Sequence, residues 1–148
     1  AKRWYEQGGE LKDMALGAYS EQELIGDRLP KTWDEYCAKH GEVGDKIKAS
    51  LNTAYTTINK YTFSDYKQAQ AHIALMKLHL LRDEYRQDWL PDCEDENQDK
   101  YVILSSKGER HVAYCQSTSR FLSFQDKERA KEFLTNFREL IEEAGDLI

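Results

Sequence analysis

Lys100-Tyr101-Val102-Ile103-Leu104-Ser105, the turn Ser106-Lys107-Gly108-Glu109, and Arg110-His111-Val112-Ala113-Tyr114-Cys115-Gln116 form the stretch whose reading decides the fold. Both flanks alternate in polarity and are rich in Val, Ile and Tyr, which suit a pleated, half-buried surface. Gly108 can supply the positive φ of a bulged turn between them, so the pattern predicts a β-hairpin. Downstream, Arg120-Phe121-Leu122-Ser123-Phe124 predicts a short third strand. Asp126 is placed to cap a helix carrying Ala130, Phe133, Leu134, Phe137, Leu140, Ile141 and Ala144. Those apolar positions make one continuous stripe, which must dock on the sheet or on another helix.

Upstream of the hairpin the chain reads as helical. From Ser64 or Asp65 to Asp88 it has neither Gly nor Pro, and Ala69, Ile73, Leu75, Met76, Leu78, Leu80 and Leu81 place apolar groups on nearly every side of a long central helix, as expected of a buried one. Trp89-Leu90-Pro91 should end it, because proline disfavours helical geometry in the residue before it. Nearer the N-terminus, Glu10 to Ala18 has helical spacing, Ser20 with Glu23 forms a capping box for a segment stopped at Gly26, and Thr32 with Glu35 forms another. The helix opened by Thr32 should end near His40-Gly41. Between Val43 and Phe63 two readings stand: Ile47, Leu51, Ala54, Tyr55 and Ile58 fit a helix, whereas Thr53 to Tyr61 is rich in β-branched and aromatic residues that suit a strand.

These elements predict one α+β domain over residues 1–148, mainly helical over 1–63 and arranged helix, hairpin, strand, helix over 64–148. A chain of 148 residues can bury about 70% of the surface its unfolded form exposes, so a core needs no staples. At 40% apolar and 32% charged residues, with two prolines, the composition is that of a soluble globular protein. No apolar run approaches the roughly 20 residues of a membrane span, and Ala1-Lys2-Arg3-Trp4 leads into charge, which predicts a cytoplasmic protein without membrane contact.

Motifs for chemistry are weak. Cys37, Cys93 and Cys115 contain no C-x-x-C pair and suggest free thiols in a reducing compartment. Cys37 and His40 could touch on a short helix, but no orienting carboxylate or oxyanion donor accompanies them; strand residues four apart, like His111 and Cys115, lie about 13 Å from each other. His72 and His79 are about 10 Å apart along a helix, too far to share a metal. The acidic turn Asp92 to Asp99 fails the calcium-loop register, since Asn97 stands where glycine is needed and Ile103 where the bidentate glutamate belongs. Neither Gly8-Gly9 nor Gly41-Glu42-Val43-Gly44 is a phosphate loop. No catalytic residue, metal or cofactor is expected.

Charge gives a binding hint. The formal charge of −6 opposes indiscriminate binding to nucleic acid, yet eight acids between Asp83 and Asp99 face only Arg86, whereas Lys100 to Lys131 holds seven basic residues against three acids. Helix, three strands, helix is also the element order of double-stranded RNA-binding domains. A nucleic-acid or partner surface would therefore use Lys107, Arg110, Arg120, Lys127, Arg129 and Lys131.

Leu29-Pro30-Lys31-Thr32-Trp33-Asp34-Glu35-Tyr36-Cys37, Leu81-Arg82-Asp83-Glu84-Tyr85 with Asp88-Trp89-Leu90-Pro91-Asp92, Gln98-Asp99-Lys100-Tyr101, and Phe133-Leu134 to Phe137-Arg138-Glu139-Leu140-Ile141 together resemble a family of small uncharacterised proteins of Bacteroides-type bacteria and their phages or prophages. The resemblance covers most of 29–148 and implies a mobile-element context but no activity. The resulting expectation is a non-catalytic phage-related accessory or interaction protein. Its partner would be protein, either a second copy or a phage or host factor, with nucleic-acid binding as the alternative. Nine tyrosines and three tryptophans provide interface anchors.

Overall fold

The computed structural model describes residues 2–61, 66–116 and 120–148, and the side chains of these apart from 21, 22, 54–61 and 66. Five helices open the chain: α1 (Lys2–Gln7), which the sequence pattern does not announce, α2 (Gly9–Ala18), α3 (Glu21–Ile25), α4 (Trp33–Lys39) and α5 (Gly41–Tyr61). The capping box before α3 forms, with the Glu23 N–H donating to Ser20 Oγ at 3.2 Å and the Ser20 N–H donating to Glu23 Oε2 at 2.8 Å. At α4 the box forms only in half. Thr32 Oγ1 accepts the Glu35 N–H at 3.1 Å, but the Glu35 carboxylate accepts from the Lys31 N–H (2.8 Å), from two nitrogens of Arg28 (2.9 and 3.0 Å) and from the Tyr5 hydroxyl (3.1 Å). A bidentate guanidinium outcompetes a single neutral N–H for a carboxylate.

Tyr5, Ala15, Leu24 and Ile25 form a core with Ala38 at its margin. Tyr5 comes from the unforeseen α1, and of the α2 stripe only Ala15 is buried, leaving Leu11 and Met14 exposed at 37% and 58%. Between the two readings of Val43 to Phe63 the helical one holds as far as Tyr61; residues 62 and 63 lie outside the described residues. Within α5, Leu51 is buried and Ile47 half-buried, as helical spacing requires.

The remaining elements are α6 (Tyr66–Arg86), β1 (Lys100–Ser106), β2 (Glu109–Cys115), β3 (Ser123–Phe124), α7 (Lys127–Ala144) and a 3-10 turn at Gly145–Leu147. The helix start expected at Ser64 or Asp65 lies outside the described residues. Its end comes earlier than Asp88: Gln87 takes a left-handed φ of 54°, and side chains from the α7 region, Gln125 and Arg129, donate to the last carbonyls, those of Tyr85 and Arg86. Burial on α6 is less complete than its composition suggests. Ala69, Ile73, Ala74, Leu78, Leu81 and Tyr85 are buried, Leu75 and Leu80 are half-buried, and Met76 is 45% exposed.

The stripe on α7 is buried at Ala130, Phe133, Leu134, Phe137, Ile141 and Ala144, as its spacing predicts, and half-buried at Leu140. Asp126 caps the helix by accepting the Arg129 N–H at 2.7 Å. Phe133 is the hub, meeting Tyr85 edge-on at 5.1 Å, Phe124 at 4.9 Å and Phe137 at 4.8 Å between ring centroids. The sheet order is β2-β1-β3, so β1 is central and the chain crosses from β2 to the far side of β1. The third strand is two residues long rather than five, and its backbone is held partly by a side chain. Buried Arg86 donates to the Ser123 carbonyl at 2.8 Å and to Ser123 Oγ at 2.7 Å. Burial first, then the charge of Arg82, pushes the Arg86 guanidinium down to about 10. The fold is α+β, and its backbone divides into two compact units, Ala1–Ala54 and Tyr55–Ile148.

Candidate functional site

The hairpin presents the most clearly built surface. Ser106 pairs with Glu109, which leaves a loop of two residues, Lys107 and Gly108, at φ 53° and 81°. Positive φ at both positions defines a type I′ turn, so the expected bulge is absent; the type I′ twist matches that of the flanking strands. The register then follows without interruption from Ser105↔Arg110 to Lys100↔Cys115. In such a hairpin the pair flanking the turn is hydrogen-bonded and pairs alternate from there. Glu109, His111, Ala113 and Cys115 thus direct their backbone groups to β1, whereas Arg110, Val112 and Tyr114 direct theirs outward from the sheet. The same alternation on β1 sends the Ile103 N–H away from β2, where it donates to the Leu122 carbonyl at 2.9 Å.

β2 is therefore an outer strand with three outward N–H and three outward C=O groups, and none of these meets a backbone partner among the described residues. Proteins usually blunt such an edge with charged side chains, proline or a bulge. Glu109 to Cys115 contains no proline, lysine or bulge; its charges are Glu109 beside the turn and Arg110, whose guanidinium donates to the Gly145 carbonyl. Beyond the edge, Tyr114 is 55% exposed, lies 5.6 Å from the Tyr101 ring, and donates its hydroxyl to Asp99 at 2.7 Å; that bond holds the hydroxyl above the ordinary tyrosine value.

The start of β1 is anchored by a cation. Lys100 is fully buried, and its ammonium donates to the carbonyls of Gln116 (2.9 Å), Gln98 (3.2 Å) and Asp95 (3.3 Å), tying the acidic turn to the base of the hairpin. Within that turn, Asp92 accepts the Glu94 N–H and Asp95 the Asn97 N–H, both at 2.9 Å, so each carboxylate closes a local turn.

The six basic residues singled out from the sequence differ in what engages them. Arg110 donates to the Gly145 carbonyl at 2.8 Å and Arg129 to the Tyr85 carbonyl at 2.8 Å, so both are engaged with backbone. Arg110 and Arg120 line one cavity of about 280 Å³ with Ile103, Phe121, Leu122 and Ile148. Lys107, Lys127 and Lys131 are exposed, the first at the hairpin turn and the other two one helical turn apart on α7. Lys100, which contributes to the basic charge of this segment, is withdrawn from the surface.

Other candidates are dispersed. Cys37 is buried, while the His40 ring lies 4.5 Å from that of Tyr36. A cavity of about 430 Å³ bounded by Lys12, Thr32, Asp34, Cys37, Ala38, Asp45 and Lys48 carries both signs of charge. His72 faces the Gln68 carbonyl at 2.9 Å, and His79 stands 3.4 Å from Asp83. Among the described residues no group of three or more His, Cys, Asp or Glu could hold a metal, and no helix is long and apolar enough to cross a membrane.

The sequence stretch contained the signal for the edge. A two-residue loop with Gly at its second position fixes which strand residues face outward, so Val112 and Tyr114 could have been found beside Arg110 had the turn been read as type I′. Comparison of the chain with protein-family models, with curated proteins and with solved structures gave no match.

Proposed function

We propose that this chain is a non-catalytic interaction protein, an accessory factor of phage or prophage origin acting in the cytoplasm of a bacterial cell, that engages a protein strand along β2. The observation that carries the reading is the outward ladder of Arg110, Val112 and Tyr114 on a seven-residue strand lacking proline, lysine and bulge. Main-chain pairing would supply affinity, and the side chains flanking the edge would supply selectivity. The test is capture of the tagged protein's partners from phage-bearing cells, with nuclease-treated and untreated halves compared. A nuclease-resistant protein partner, lost when Val112→Pro removes one outward donor, is the expected result. Capture of the same protein by the Val112→Pro variant would overturn it.

The nucleic-acid alternative is supported by the exposure of Lys127 and Lys131 at the start of α7. Reversing both to glutamate should then abolish recovery of DNA or RNA and flatten the salt dependence of binding. Glu128 and Glu132, interleaved on the same helix, weigh against it.

A further inference from the structure

We infer that the strand received by the β2 edge is the β2 of a second copy of this chain, paired antiparallel about a two-fold axis at Val112; this rests on the edge reading above and names its partner. The antiparallel register that overlaps all seven residues of β2 places Val112 opposite Val112 of the second copy. Arg110 then faces Tyr114, His111 faces Ala113 and Glu109 faces Cys115. Two properties of the strand favour this register. First, Arg110, Val112 and Tyr114 are the residues with outward backbone groups, and they fall opposite one another. Every outward donor in the overlap thus meets an outward acceptor, in about six main-chain bonds across the axis. Second, like charges do not meet. The one arginine, whose guanidinium donates to the Gly145 carbonyl, lies opposite a tyrosine ring that is 55% exposed rather than opposite its own copy, twice by symmetry, and the one glutamate lies opposite a thiol. Sliding the strands so that Arg110 meets its own copy would set two guanidinium groups against each other and shorten the overlap.

The product is a continuous six-stranded sheet in the order β3-β1-β2-β2-β1-β3, with the two edges that lack proline, lysine and bulge removed from solvent. An association made of one strand pair is small by the standard of permanent dimers, so it should dissociate at micromolar concentration.

Sedimentation velocity of the whole chain over a wide concentration range tests this. The wild type should pass from monomer to dimer as concentration rises. Val112→Pro removes an N–H that points away from β1, a place where an edge strand tolerates proline, and should stay monomeric with its thermal transition little changed. Tyr114→Arg, at an exposed position, sets arginine against Arg110 in both symmetry-related pairs and should weaken dimerisation about tenfold. Adding Arg110→Glu should restore most of the loss by making those pairs complementary, an outcome that damage to the fold would not produce. A wild type that is monomeric throughout, or a dimer unmoved by Val112→Pro and Tyr114→Arg, overturns the second copy as occupant. Cell capture separates the two levels: if Val112→Pro still loses a different protein partner, the edge reading stands and only the self-pairing fails.

Discussion

At Glu35 burial acts against the charged carboxylate, and the Arg28 guanidinium, the Lys31 N–H and the Tyr5 hydroxyl outweigh it, holding the group below the ordinary carboxylate value. A depressed pKa in the folded chain means a stabilising contribution that is complete above the unfolded value and lost as pH falls through the folded one. Arg28 also pairs with Glu6, and Lys31 reaches Glu6 at 3.0 Å, so removing Glu35 weakens a network rather than isolating a cation. Glu35→Gln is expected to cost about 2 kcal/mol at neutral pH, with the gap to wild type closing below about pH 4. Urea midpoints at a series of pH values check this, and a gap of equal size at pH 3 and pH 7 would place the effect in packing instead. Spacing alone identified Glu35 as part of a cap. It could not identify Arg28 or Tyr5 as partners, because the Tyr5 contact joins residues 30 apart and no local period encodes it. Lys100 was hidden for a similar reason. Alternation places it in a strand, but the three carbonyls that allow its burial come from turns whose course only the folded chain defines.

Elements met their expectations where capping and periodicity agreed and departed where a distant side chain intervened. Asp126 and the α7 stripe could be read because cap and spacing point to the same helix. The end of α6 could not, since Gln87 is not a residue that announces a left-handed turn, and the groups that satisfy the last carbonyls, Gln125 and Arg129, lie some forty residues downstream. The junction of α4 and α5 hides a further constraint. A Cβ added at Gly44 would lie 1.8 Å from the Cys37 carbonyl oxygen and 2.6 Å from its carbon, so the two helices approach through a space that only glycine leaves open. Replacing glycine by alanine inside a helix ordinarily stabilises by up to about 1 kcal/mol. Here the obstacle is backbone, which no rotamer change can move aside. Gly44→Ala is therefore expected to destabilise by about 3 kcal/mol, measured by denaturant unfolding of the helical unit. A rise in stability would show that the close approach is absent in solution.

At the scale of the whole molecule, the polypeptide divides within α5 into two compact units, each with a core of its own. Tyr5, Ala15, Leu24 and Ile25 serve the first; Tyr85, Phe124, Phe133 and Phe137 serve the second. Composition predicts enough apolar residue for a core but not how many cores there are, and the division falls in the segment where helix and strand signals conflict, so the sequence offers no linker to mark it. Separate cores imply separate losses of protection when one is weakened. Phe133→Leu removes aromatic contacts with Tyr85, Phe124 and Phe137 and should cost about 1 kcal/mol. Hydrogen exchange should then speed up through α6, β1 and α7, with amides of α2 and α4 exchanging as in the wild type. The converse holds for Glu35→Gln, which should loosen α4 and leave α7 unchanged. If either substitution accelerates exchange across both units to the same degree, the chain unfolds as one cooperative body and the two cores are energetically a single one.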